Sequence, residues 1–179
     1  MIKLKDIINE DIFRTSLKLK PHDKLLSSAV IQFMQDKFGF SAKIIIKKKS
    51  NNSLFGDISL NNNSVINNKF YLHYNPNQSY PLQIKSMIHE LTHVKQVSKK
   101  ELLPSNDYKS ILWKGKLGIT TVDYNKIVKQ KDITSYKKLK WEIEAYSNME
   151  TLYKPFLNSK YWKSLKGKDT TMDFIIDNI

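Results

Sequence analysis

Four histidines occur in this chain of 179 residues, and two of them stand four apart around a glutamate: His89-Glu90-Leu91-Thr92-His93. On an α-helix, residues i and i+4 share a face, so both imidazoles can reach one ion. Neutral imidazole nitrogen binds zinc at about 2.0–2.1 Å. Zinc lowers the pKa of a bound water, and a carboxylate beside the first histidine can take the released proton. The pattern therefore predicts a Zn2+ site with His89 and His93 as ligands and Glu90 as general base. The competing reading is two ordinary histidines flanking a solvated carboxylate. Two features weigh against it. Glu90 stands between the histidines, and Ile84, Ile88, Leu91 and Val94 form an apolar stripe that would bury the helix. His89, His93 and Gln96 lie on a different face, free to line a cleft.

A catalytic zinc needs a third protein ligand and an open position. The chain has no cysteine, so that ligand must be histidine or carboxylate. His22 and His73 lie upstream, and neither belongs to a second metal-spaced motif. His73, in the strand segment before the helix, is a minor candidate. The better candidate segment is Trp141-Glu142-Ile143-Glu144-Ala145-Tyr146, on a later helix that could cross the first. Glu142 and Glu144 stand about 200° apart around a helix, so only one of them can face the ion.

H-E-x-x-H followed by E-x-x-A on a later helix resembles the gluzincin metallopeptidases, most closely the compact single-domain type found in phage and bacterial genomes. The resemblance rests on His89-Glu90-Leu91-Thr92-His93-Val94-Lys95-Gln96 and Trp141-Glu142-Ile143-Glu144-Ala145, and it covers mainly residues 69–150. It implies a twisted sheet, an active-site helix carrying both histidines, and a helix supplying the glutamate ligand. Carried over, the ligand is Glu142, with Ala145 small enough to let helices approach. Glu144 is the rival, because Glu144-Ala145-Tyr146-Ser147 also places a small residue three positions on. Many gluzincins carry Asp four residues after the ligand glutamate to orient a histidine. Here that position is Tyr146, whose hydroxyl would have to accept the imidazole N–H. The resemblance also implies that the strand Lys69–Tyr74 lies along the cleft and pairs with an extended peptide. A plain sheet strand is an equal alternative. Tyr136, Tyr146, Tyr124 and His73 are candidates for stabilising a tetrahedral oxyanion.

These groups must be positioned by regular elements. Residues 22–38 carry Leu25, Leu26, Ala29, Val30, Phe33, Met34 and Phe38 at helical spacing, and Gly39 stops the run. A shorter helix is expected around 4–17. Ala42–Lys48, Leu54–Leu60 and Lys69–Tyr74 read as strands, separated by the Asn-rich turns Asn51–Ser53 and Asn61–Ser64. Pro81 opens the histidine helix, which should run to about Lys100. Ser110–Lys114 and Ile119–Val122 read as short strands with Gly115 and Gly118 between them. A long helix is expected from Tyr136 to Phe156, then one or two short helices around Trp162, Leu165 and Phe174–Ile176. The expected class is α+β and zincin-like: a small, mostly antiparallel sheet packed on the active-site helix and a downstream glutamate helix. We expect one domain over 1–179. Its parts would be a helical stretch (1–40), the sheet with its active-site helix (41–100), and a loop region with the glutamate and C-terminal helices (101–179).

Hydrophobic residues make up 40% of the chain, enough for an ordinary core. The first nineteen residues contain no unbroken apolar run, and no stretch approaches the roughly 18 apolar residues of a membrane helix. These features predict a cytoplasmic protein, of a bacterial or phage-infected cell, without a membrane partner. The formal net charge is +13, which admits an anionic partner. Arg14 is the only arginine, however, and lysine lacks the planar fork that reads bases and grips phosphate. The clusters Lys47-Lys48-Lys49 and Lys137-Lys138 read as solvated surface, and Trp113, Trp141 and Trp162 as core or cleft wall. The expected partner is a protein or peptide substrate. The alternative is a zinc-binding module without proteolytic activity, associated with nucleic acid, on a peptidase-like fold.

Overall fold

The structure is a computed structural model and describes residues 19–48, 57–59, 68–75 and 77–179. Its described elements are, in order, α1 (Pro21–Phe38), β1 (Lys43–Lys48), β2 (Asp57–Ser59), β3 (Lys69–Tyr74), α2 (Tyr80–Ser98), β4 (Leu102–Pro104), β5 (Ser110–Trp113), β6 (Lys116–Thr120), α3 (Thr121–Lys129), α4 (Ile133–Lys137), α5 (Lys140–Leu157), α6 (Lys160–Lys163) and α7 (Thr170–Asp177). This mixture of helices and small sheets agrees with the α+β expectation. The helix expected around 4–17, both Asn-rich turns and most of the second strand candidate lie outside the described residues.

Local chemistry sets the helix ends. Pro21 opens α1, where its missing N–H leaves no bond unmade, and Asp23 accepts from the Lys20 backbone N–H. Gly39 closes the helix in the left-handed region at φ 58°, a conformation glycine adopts without strain. α2 likewise has proline in its first turn.

The helices α1, α2, α5, α6 and α7 and the strand β3 share the main core. Val30 and Met34 of α1, Ile84, Ile88, Leu91 and Val94 of α2, Phe70 and Leu72 of β3, and Phe156 of α5 are all fully buried. Each such side chain contributes about 1.5–3 kcal/mol relative to exposure. Phe33 and Phe156 meet edge to face at 5.4 Å. α1 packs on one side of α2, and α5 crosses the other. Ala145 is fully buried at that crossing, as its small size suggested.

The expected single sheet is instead two three-stranded sheets. In the first, β3 is central, paired parallel to β1 along its whole length and antiparallel to β2. The second is an antiparallel meander, β4-β5-β6. Several sequence-based expectations are corrected here. The strand Lys69–Tyr74 is central, with β1 along its whole length and β2 beside Tyr71–His73, so the outer positions among the described strands belong to β1 and β2. The segment Ile119–Val122 is strand only to Thr120. Thr120 accepts from the Asp123 N–H and donates its hydroxyl to the Asp123 carboxylate, so α3 begins at Thr121 despite the β-branched run. Gly118 lies inside β6 rather than between strands. The long helix starts at Lys140, and Tyr136 belongs to α4. Among the described residues no helix is long and apolar enough to cross a membrane.

The second sheet bears on the functional helices through Gly118. A Cβ at this position would stand 3.0 Å from both the Ile111 carbonyl oxygen and the Trp141 ring. The backbone oxygen cannot swing aside, and Trp141 is buried next to Glu142. Gly118→Ala should therefore destabilise the fold by about 1–3 kcal/mol, read as a lower midpoint in urea.

Candidate metal centre

α2 carries His89 and His93 one turn apart, and α5 brings Glu142 across to them. The His89 and His93 Nε2 atoms are 3.2 Å apart. His93 Nε2 lies 3.3 Å from Glu142 Oε1, and His89 Nε2 lies 3.4 Å from Glu142 Oε2. Among the described residues these three are the group that could hold a metal ion. Their spacing supplies a test of fit. Four donors set tetrahedrally at about 2.0–2.1 Å from an ion stand about 3.3 Å from one another. Each imidazole Nε2 stands at about that length from the other and from one oxygen of Glu142, Oε1 for His93 and Oε2 for His89. The Oε2 atom of Glu142 is also buried, with His89 Nε2 at 3.4 Å but no well-formed hydrogen bond. A buried carboxylate oxygen left unmatched is costly unless a cation completes it.

The structure selects between the two glutamates. Glu142 is almost wholly buried against the histidines, whereas Glu144 turns to the C-terminal half of α2. There it accepts from Gln96 Nε2 at 2.8 Å and from Lys95 Nζ at 3.1 Å. Lys95, itself buried, also binds Glu101 at 2.6 Å. This charged cluster was not read from the sequence. Its only signal is Glu101, which follows the end of α2 and lies back along the helix within reach of Lys95.

The site is charged and largely dry. Burial opposes charge on His93, but the hydrogen bond and charge of Glu142 outweigh it, helped by Glu90 and Gln96, and the metal-free imidazolium persists to about 9. Burial likewise opposes charge on Glu142. The hydrogen bonds and charges of His89 and His93 prevail and hold its carboxyl down to about 2. About one-seventh of each histidine side chain remains exposed, so solvent reaches the imidazoles while Glu142 forms the floor. Glu90 is half-buried on the next position of α2. Its charge raises the proton affinity of His93, Tyr136 and Tyr146.

Three of the four oxyanion candidates gather here. Burial first, and the Glu142 carboxylate next, push the Tyr136 hydroxyl well above its ordinary value and keep it neutral. Tyr124 lies beside Tyr136, hydrogen-bonded to it, and is raised by burial and by Glu142. Tyr146 packs the edge of its ring on His89 at 4.6 Å, with Lys137 over its other surroundings at 5.2 Å. The hydroxyl of Tyr146 does not orient His89 in the way the missing aspartate would: His89 Nδ1 is buried without a hydrogen-bond partner. His73 is excluded from the centre. Strand alternation turns Phe70 and Leu72 into the core, so His73 faces the opposite side of the sheet. His22 lies in the first turn of α1 beside Asp23.

No family model, curated protein or solved structure matches this chain. The chemical reading of the site therefore rests on its own geometry.

Metal and protons must compete for His93, with opposite consequences for affinity and for metal-free stability. Below about pH 9 an incoming ion displaces the His93 proton. Apparent affinity should rise by about tenfold per pH unit for that proton between pH 6.5 and 8.5 and flatten above 9. Without metal, the raised His93 value contributes stability that is complete below 6.5 and lost as pH rises through 9. Thermal melts of metal-free protein should therefore show Tm falling from pH 6.5 to 9. Chelator-competition titrations over the same range should show affinity rising.

Proposed function

We propose that the protein is a zinc-dependent metallopeptidase of the gluzincin kind, with His89, His93 and Glu142 as metal ligands and Glu90 as general base. The observation that carries this reading is the meeting of both Nε2 atoms, 3.2 Å apart, over the two oxygens of one buried carboxylate at 3.3 and 3.4 Å, with Glu90 on the same helical turn. Two imidazoles and one carboxylate suit zinc and leave a fourth position for water or substrate. A bound zinc ion would supply Lewis-acid polarisation of a water and of a scissile carbonyl.

The chain's own residues supply the rest. Glu90, not needed as a ligand, takes a proton from the attacking water and then delivers it to the departing amine. The neutral Tyr136 and Tyr146 hydroxyls are donors for charge that develops on the carbonyl oxygen. Tyr146 stands nearest to the partly exposed His89, so it is the better placed for a substrate arriving from solvent. The resemblance in H-E-x-x-H and E-x-x-A supports the same assignment.

Glu90→Gln separates metal binding from catalysis. The variant should keep one zinc per chain by elemental analysis and lose at least about a hundredfold in hydrolysis of a mixed peptide library, the scale of a general base. Undiminished cleavage by this variant would remove Glu90 from the mechanism. Glu142→Ala should lose the metal, whereas Glu144→Gln should retain it. A zinc-loaded wild type that cleaves nothing in the library, yet binds DNA or RNA with a steep salt dependence, would favour the non-proteolytic alternative.

A further inference from the structure

The two histidines of the centre are not held alike. His89 has no hydrogen bond at Nδ1 and is braced by the ring of Tyr146. His93 Nδ1 is 2.9 Å from Gln96 Oε1. Gln96 is fully buried, and both of its other bonds are fixed. Its Nε2 donates to the Trp141 carbonyl at 2.9 Å and to Glu144 Oε2 at 2.8 Å.

Those two partners decide which end of the amide faces His93. The Trp141 carbonyl and the Glu144 carboxylate can only accept, so the amide NH2 must face them. Turning the amide over would set its oxygen against two acceptors in a buried pocket and cost both hydrogen bonds. The amide oxygen is thus committed to His93 and can only accept there. Nδ1 can meet that oxygen only as an N–H donor, and Nε2 is the ring atom that faces His89 and Glu142.

We infer that Gln96 is a positioning residue for the metal centre: locked by Glu144 and the Trp141 carbonyl, it accepts from His93 Nδ1–H and so turns Nε2 toward the place an ion would take. This explains why Glu144 follows Glu142 so closely in sequence without competing for the metal. Glu142 enters the centre itself, and Glu144 sets the residue that aims His93. Lys95 supports the arrangement from the other side. Bridging Glu144 and Glu101, it supplies the positive charge that the half-buried Glu144 needs. The inference rests on the metal-centre half of the proposed function and is independent of peptide hydrolysis.

The test reads the imidazole directly. In 15N-labelled protein titrated with zinc, long-range 1H–15N spectra distinguish a His93 ring that binds through Nε2 and keeps Nδ1–H from one bound the other way round. Wild-type His93 should show a single Nδ1–H form. An Nε2–H signature in the wild type would overturn the inference without recourse to any variant. Gln96→Leu should release His93 into a mixture of both forms and weaken zinc binding by about 10–100-fold in chelator competition. The conservative Glu144→Gln still offers an acceptor to Gln96, and should keep the Nδ1–H form and stay within about threefold of wild-type affinity. A folded Gln96→Leu with an unchanged His93 spectrum and unchanged affinity would also overturn the inference. The failures are distinguishable. Wild type that takes up no zinc refutes the metal reading, zinc bound with an Nε2–H ring refutes the inference alone, and zinc binding without cleavage refutes only the peptidase.

Discussion

A carboxylate buried between two helices is the constraint from which the rest of this structure follows. Glu142 is about 1% exposed, and an ionised carboxylate in such surroundings is tolerated only beside positive charge or donors. α2 provides both, through two imidazoles one turn apart. In the metal-free molecule the balance is kept by the His93 proton, and the same lone pairs would otherwise meet a cation. Around this centre every close element has a definable task. Ala145 lets α5 approach, the apolar stripe of α2 fixes its rotation, and Trp141 anchors the start of α5 against the second sheet.

Charge of the second kind lies one layer out. Lys95, Glu101, Glu144 and Gln96 form a compact network beside the centre, with Lys114 approaching Glu144 at 3.6 Å. Buried ion pairs offset their desolvation only when their geometry is good and the remaining donors and acceptors are matched. Lys95 has two carboxylates within 3.1 Å, and Glu144 has both an ammonium and an amide donor. Such a cluster contributes orientation more than net stability, which fits its place between α2, α5 and the start of β4.

The centre itself was legible because its information is local. His89, Glu90 and His93 are within five positions, and helical periodicity alone puts the two rings together. Choosing Glu142 over Glu144 needed the resemblance, since periodicity states only that the two diverge. The helices α1, α2 and α5 were readable from apolar spacing and from Pro21, Gly39 and Pro81. Sheet order was not. Nothing in Lys69–Tyr74 indicates that it pairs on both edges, because partner choice depends on chain segments far away in sequence. The Thr120–Asp123 cap was present in the sequence but hidden beneath a β-branched run. The contact of Tyr146 is hidden for a related reason: its ring meets His89, and spacing alone does not say which part of a tyrosine makes contact.

The Lys95 bridge also clips together the two ends of a long excursion. The chain leaves α2 at Glu101, builds β4, β5, β6, α3 and α4, and returns at Glu144, and one lysine holds both carboxylates. Between those ends, α3 and α4 bury no residue completely and show Val122, Val128 and Ile133 to solvent. The excursion therefore behaves as a handle attached at a fixed base. Its length and outer surface can vary through evolution or engineering while Tyr124, Tyr136 and Gly118 keep their places. Diversity among descendants of this fold should accumulate on the handle and thin out toward the clip.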